Sequence, residues 1–126
     1  MSEIKNFNIN ETFQMAIQSH REGNIVKAKN LYSKVLELDP NHENANINIG
    51  VIFQQLGEFQ SAKKCYENVL KNNSKNIMAY TNLGVVFKNL EKIEEAIKCF
   101  DKAIEISPDS LEAQTNLGVI FQELEE

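Results

Sequence analysis

One apolar hexapeptide occurs three times in this chain at a fixed spacing. The sequence reads NIGVIF from Asn48, NLGVVF from Asn82 and NLGVIF from Asn116, so the copies are 34 residues apart. Alanine recurs at positions 28, 62 and 96, and an aromatic residue recurs at 32, 66 and 100, with the same period. Self-similarity at one period of this length indicates a stack of equivalent structural units.

Each unit is predicted to contain two helices separated by a tight turn. In the second unit, Ile49, Phe53 and Leu56 lie at intervals of four and three, and these intervals recur after Gly57. Apolar residues spaced in this way form one face of a helix. Gly57 can adopt the left-handed conformation that ends a helix, whereas Glu91 at the equivalent position of the next unit would cost that turn about 1 kcal/mol. The sequence therefore predicts an all-α protein.

A glycine stands in the middle of the first helix of three units, at Gly50, Gly84 and Gly118. Glycine within a helix costs about 1 kcal/mol relative to alanine. That cost is acceptable where a neighbouring helix must approach closely. We therefore expect a neighbouring helix to approach closely at these positions, with large residues such as Phe53 and Tyr66 filling the space between units.

Composition narrows the class of protein. The net charge of −5 disfavours a nucleic-acid partner, which needs a basic surface. The 126-residue sequence contains neither a long apolar run nor a signal-peptide pattern, so a cytoplasmic location is the default expectation and no membrane partner is expected. Cys65 and Cys99 are 34 residues apart, in equivalent positions of neighbouring units. Helices pack about 10 Å apart, which is too far for a disulfide.

The residue types that carry chemistry are sparse. His20 and His42 are the only histidines, and no Cys-x-x-Cys or His-x-x-x-His pair is present. The glycines occur singly and form no phosphate-binding loop. We therefore predict a non-catalytic protein with no metal and no cofactor.

The repeated pattern resembles the tetratricopeptide repeat (TPR) over nearly the whole chain. Each unit combines an apolar-Gly-x-x-aromatic helix with an Ala-x-x-x-aromatic helix, and Pro40 and Pro108 end two of the units. The resemblance implies a right-handed α-solenoid of stacked helix-turn-helix repeats. Its repeat positions predict a leader over residues 1–8, repeats over 9–42, 43–76 and 77–110, and a first helix of a fourth repeat or a capping helix over 111–126.

The resemblance also implies a concave groove, lined by the first helices, that binds a peptide or a partner protein. The family positions that face this groove correspond here to Phe13, Gln14, Ile17, His20, Arg21, Ile47, Asn48, Val51, Gln54, Gln55, Thr81, Asn82, Val85, Lys88, Asn89, Thr115, Asn116 and Val119. Because a primary amide both donates and accepts, Asn48, Asn82 and Asn116 are predicted to form a ladder that pairs with a peptide backbone. In a chain with 16 asparagines, the alternative is that these are simply solvated helix positions.

A more specific binding mode of the family is not expected. Members that grip the carboxyl terminus of chaperones use lysine, asparagine, asparagine, lysine and arginine at five positions. The residues at those positions here are Phe13, Ile17, Asn48, Met78 and Asn82, of which only Asn48 fits.

Two alternatives to a stand-alone binding module stay open. The chain can be the regulatory or substrate-recruiting region of a longer enzyme, such as a transferase. It can also be a scaffold that self-associates through the last helix, which has no partner helix after it. The apolar residues expected to form that surface are Leu117, Ile120, Phe121 and Leu124.

Overall fold

The computed structural model describes residues 8–125, which form α-helices joined by short turns and contain no β-strand. The seven helices are α1 (Ile9–Arg21), α2 (Ile25–Leu38), α3 (Glu43–Gln55), α4 (Phe59–Asn72), α5 (Ile77–Asn89), α6 (Ile93–Ile106) and α7 (Leu111–Glu125). The predicted all-α class is therefore confirmed. The leader predicted over residues 1–8 lies outside the described residues except for Asn8.

The helices stack in chain order. Helices α1 and α2, α3 and α4, and α5 and α6 pack together as pairs, and the second helix of each pair packs on the first helix that follows. Along one side, α3 also contacts α5, and α5 contacts α7. This arrangement is the predicted solenoid, and it places successive first helices side by side.

The turn within each pair has the same backbone conformation. Gly23 and Gly57 have φ of 84° and 76°, and Glu91 adopts φ of 62° in the equivalent turn. The geometry of the turn is therefore kept where the sequence departs from glycine. A residue with a β-carbon costs roughly 1–2 kcal/mol in the left-handed region, so Glu91 destabilises the third turn by about this amount.

The first helices begin at side chains that cap their free backbone N–H groups. The N–H of Ala79 donates to Asn76 Oδ1 at 2.8 Å, and the N–H of Ala45 donates to His42 Nδ1 at 3.0 Å. Asn8 and Ser110 occupy the same position before α1 and α7 and accept in the same way. These caps fix where each first helix starts and hence the register of the face it presents.

The core clusters of neighbouring pairs are linked by the half-buried rings of Phe53 and Phe87, and each pair contributes one fully buried aromatic ring. The side chains of Tyr32, Tyr66 and Phe100 are all buried. A β-carbon added to Gly50 would lie 2.6 Å from Tyr66 Cε1, and one added to Gly84 would lie 2.6 Å from Phe100 Cζ. The second helix thus approaches closely at Gly50 and Gly84, as expected, whereas nothing lies within 4 Å of a β-carbon added to Gly118, where the expected approach is not seen.

Both cysteines are free. Cys99 is buried and Cys65 is half-buried. Burial raises the pKa of the Cys65 thiol to about 11 and that of the Cys99 thiol to about 12, because a thiolate would lose its hydration there. Both side chains therefore behave as small apolar groups at neutral pH.

Candidate functional site

Two neighbouring depressions lie on the side formed by the first helices. The first is lined by Ile17, His20 and Arg21 of α1, Tyr32 of α2 and Asn48 of α3. Four of these five residues belong to the predicted groove, and the structure brings them together from two repeats. Tyr32 was not predicted, because it lies on a second helix.

The second depression extends the same face across the following repeats. It is lined by Val51, Gln54, Gln55, Phe59, Asn82, Val85, Asn89 and Glu112. Six of these residues are predicted groove positions on α3 and α5. Phe59, at the start of α4, and Glu112, on the first turn of α7, complete the lining. The aliphatic side chains form a half-buried floor, and amides surround it.

The structure corrects two of the predicted groove residues. Ile47 and Thr81 are only 2% and 3% exposed, so they offer almost no surface to a ligand. Ile47 packs in the core between repeats, and the Thr81 hydroxyl donates to the backbone oxygens of Ile77 and Met78. Thr115, at the same position of α7, is exposed.

The remaining predicted positions lie outside the two depressions. Phe13 is half-buried, and its ring centroid is 5.8 Å from that of Tyr32 and 4.8 Å from that of His42. Gln14 and Val119 are exposed, and Asn116 and Lys88 are half-buried.

Polar contacts link neighbouring first helices across this face. His20 Nε2 lies 3.0 Å from Gln55 Oε1, and Lys88 Nζ donates to Glu123 Oε1 at 3.3 Å. The partners in each link are 35 residues apart, so the same two positions of successive repeats are joined. The ion pair is partly exposed, so it contributes little to stability and instead defines the edge of the face.

The asparagines of the predicted ladder are half-buried rather than fully solvated. Asn48 Nδ2 donates to the Tyr32 hydroxyl at 3.2 Å. The Tyr66 hydroxyl donates to Gln54 Oε1, and Asn82 occupies in the next repeat the position that Asn48 has relative to Tyr32. Burial raises the pKa of both tyrosines, and the asparagine amides oppose that rise. Both phenols are therefore neutral hydrogen-bonding groups at neutral pH.

The predicted self-association surface on α7 is only partly exposed. Ile120 is 1% exposed because it packs into the core beside Phe100, so its place in that surface was predicted wrongly. Leu117 is half-buried against the same core, whereas Phe121 and Leu124 are 50% and 61% exposed.

Two kinds of feature are missing from residues 8–125. No group of three or more His, Cys, Asp or Glu side chains in this part of the chain could hold a metal ion. None of its helices is long and apolar enough to span a membrane.

Comparison with known proteins identifies the repeat. One family model described as a tetratricopeptide repeat matches residues 20–83, and a second with the same description matches residues 77–110. A search of curated proteins by sequence found no match.

Solved structures share the fold. The first TPR of Spaghetti (RPAP3), bound to the HSP90 peptide SRMEEVD, has 24% identity and a TM-score of 0.88 over 94% of each chain. The Arabidopsis OM64 TPR domain has 20% identity and a TM-score of 0.87, covering 91% of this chain and 95% of that one. MamA from Desulfovibrio magneticus RS-1 has 24% identity and a TM-score of 0.89, covering 96% and 68%.

Proposed function

Because the chain belongs to the tetratricopeptide repeat family, we propose that it is a non-catalytic interaction module. Its ligand is an extended segment of a partner protein, which lies along the face formed by the first helices. The observation that carries this proposal is the row of half-buried asparagines at one position of successive repeats, Asn48, Asn82 and Asn116. We also propose the repeat boundaries predicted from the sequence, residues 9–42, 43–76 and 77–110.

The spacing of this row suits an extended peptide. Neighbouring helices pack about 10 Å apart, and an extended chain rises about 3.3 Å per residue. Each asparagine would therefore meet about every third residue of the ligand. Three asparagines span roughly 20 Å, so a ligand of about nine residues covers the row with a margin at each end.

The floor beneath the amides supports binding of apolar side chains. Ile17, Val51 and Val85 are half-buried in the two depressions, at the same position of three repeats. Alternate side chains of an extended segment point to the same side, so one set can contact this floor while the backbone meets the amides. Amide pairing is independent of the ligand's side chains, and selectivity then comes from the floor.

The charges disfavour an acidic carboxyl terminus as the ligand. The structure of Spaghetti (RPAP3) holds the HSP90 peptide SRMEEVD, which ends in acidic residues and a valine. Here Lys88 already pairs with Glu123, and Glu112 lines the second depression. With Met78 exposed where a clamp lysine would stand, we propose that this chain binds an internal segment instead.

The proposal is tested with peptides selected from a random library of nine-residue sequences. Peptides of unrelated sequence that bind the full chain are titrated by fluorescence anisotropy against the wild type and the Asn48→Ala/Asn82→Ala/Asn116→Ala variant. Each lost hydrogen bond is worth about 1 kcal/mol, so affinity should fall about a hundredfold for every peptide. Asn30→Ala, an exposed asparagine on α2, is the matched control and should change nothing.

The loss of affinity should also be similar from one peptide to the next. If the amides contact the ligand backbone, peptides with different side chains should weaken by similar factors. Unchanged affinities in the triple variant, with helicity retained by circular dichroism, would overturn the proposal.

A further inference from the structure

The buried aromatic ring of each second helix occupies the same place relative to its first helix. The rings of Tyr66 and Phe100 lie against Gly50 and Gly84, and both approach the position of an added β-carbon to 2.6 Å. Tyr32 is equally buried in the first pair. The three rings therefore differ mainly in the hydroxyl group, which Phe100 lacks.

The hydroxyl of each of these tyrosines is hydrogen bonded to a residue that lines the binding face. Tyr32 lines the first depression, and its oxygen accepts from Asn48 Nδ2 at 3.2 Å. The Tyr66 hydroxyl donates to Gln54, which lines the second depression together with Asn82, the equivalent of Asn48. In both cases the asparagine follows the tyrosine by 16 residues and belongs to the next repeat.

The asparagine of the last repeat makes a different bond. Asn116 also follows its aromatic residue by 16 positions, but that residue is Phe100. Asn116 Nδ2 instead donates to the backbone oxygen of Glu112, one turn earlier in α7, at 2.9 Å. The amide is thus directed to its own helix where no hydroxyl is available.

We propose that Tyr32 is a positioning residue of the binding face, because its hydroxyl fixes the orientation of Asn48. We extend this role to Tyr66 and Asn82, which occupy the equivalent positions one repeat later. A primary amide has two N–H donors and one carbonyl acceptor. One donor satisfies the tyrosine, so the carbonyl and the second N–H stay available to a ligand backbone. Asn48 and Asn82 are therefore held towards the binding face before the ligand arrives, whereas Asn116 is held towards its own helix by its bond to Glu112. This proposal rests on the function proposed above.

Ordering before binding has a measurable consequence for affinity. An asparagine that is already fixed loses less side-chain entropy when a ligand binds. Adding the missing hydroxyl by Phe100→Tyr should therefore tighten peptide binding about two- to tenfold, and Tyr66→Phe should weaken it by a similar factor.

The positioning role is tested first without any ligand, by NMR of the full chain. Three-bond couplings between the backbone nitrogen and side-chain Cγ of each asparagine show whether one χ1 rotamer is populated. Tyr66→Phe should average the couplings of Asn82, and Tyr32→Phe those of Asn48. Phe100→Tyr should change the coupling of Asn116 towards the values of Asn48 and Asn82. Tyr80→Phe is the control, because its hydroxyl makes no hydrogen bond to another side chain in residues 8–125, and all three asparagines should be unaffected.

Affinities for the library-selected peptides separate this proposal from the proposed function. Unchanged Asn48 couplings in Tyr32→Phe overturn the positioning role, whatever the affinities are, and unchanged Asn82 couplings in Tyr66→Phe overturn its extension to the second repeat. Couplings that change as expected, with no change in affinity in any variant, support the positioning role and contradict backbone binding by the asparagines. Coupling and affinity changes together, in opposite directions for Tyr66→Phe and Phe100→Tyr, support both.

Discussion

The three glycines of the first helices give a sharp test of how the repeats pack. Replacing glycine by alanine in a helix stabilises it by about 1 kcal/mol when the new methyl group has room. At Gly118 nothing lies within 4 Å of the added β-carbon, so Gly118→Ala should raise the free energy of unfolding by about 1 kcal/mol. At Gly84 the β-carbon would lie 2.6 and 2.7 Å from Phe100 Cζ and Cε1.

The Phe100 ring has little room to move, because it is fully buried. Overpacking a core of this kind costs about 1–3 kcal/mol, which exceeds or cancels the gain in helix propensity. The free energy of unfolding of Gly84→Ala should therefore be about 1–3 kcal/mol lower than that of Gly118→Ala. Gly50→Ala should behave like Gly84→Ala, because Tyr66 Cε1 lies at the same 2.6 Å.

Urea unfolding followed by circular dichroism measures these differences, and a double-mutant cycle identifies their cause. In a Phe100→Leu background, Gly84→Ala should cost less than in the wild type, with a coupling free energy of about 1 kcal/mol. Equal stabilisation of the chain by Gly84→Ala and Gly118→Ala would refute the close approach of the ring, and so would strict additivity with Phe100→Leu.

Two further predictions concern stability. Glu91→Gly should raise the free energy of unfolding measured in urea by about 1 kcal/mol, because it removes the β-carbon of a residue with φ of 62°. No gain in stability would show that the turn is unstrained. Burial raises the pKa of Cys65 to about 11 and of Cys99 to about 12, from 9.0, so the folded chain keeps thiol protons that the unfolded chain loses. Stability should therefore fall as pH rises above about 9, and the Cys65→Ser/Cys99→Ser variant should have a flatter profile between pH 9 and 11; parallel profiles would contradict the burial of the thiols.

The fold was predictable because local and long-range patterns agree. The intervals of three and four placed the helices, Gly57 and its equivalents placed the turns, and the 34-residue period required the units to stack in the same way. Glu91 did not disturb this, because its turn adopts the same left-handed conformation as the turns at Gly23 and Gly57.

The binding face was predictable only in part, because one repeat position does not have one environment. Thr81 is buried between repeats, whereas Thr115 at the same position is exposed on α7. Ile120 was expected on an open apolar surface, but it turns towards Phe100 in the preceding pair. Such differences depend on which helix covers each side chain. The position of a residue within its repeat does not identify that helix.

The bond between Asn48 and Tyr32 could not be predicted from the sequence. Both series of residues were visible at the 34-residue period, but on different helices and in different repeats. Only the packing of the second helix of one repeat on the first helix of the next brings the Tyr32 hydroxyl to Asn48. Asn48 donates to the Tyr32 hydroxyl in the structure, so its side chain has a partner within the protein in addition to the ligand proposed for it.

The most direct test of this account is to map where a peptide binds. The ¹⁵N-labelled chain is titrated with a library-selected peptide of nine residues, and changes in backbone and side-chain amide resonances are recorded. The binding face proposed here predicts the largest changes at Asn48, Val51, Asn82 and Val85. Changes concentrated instead on exposed residues of the second helices, such as Glu37, Lys64 and Lys98, would contradict it.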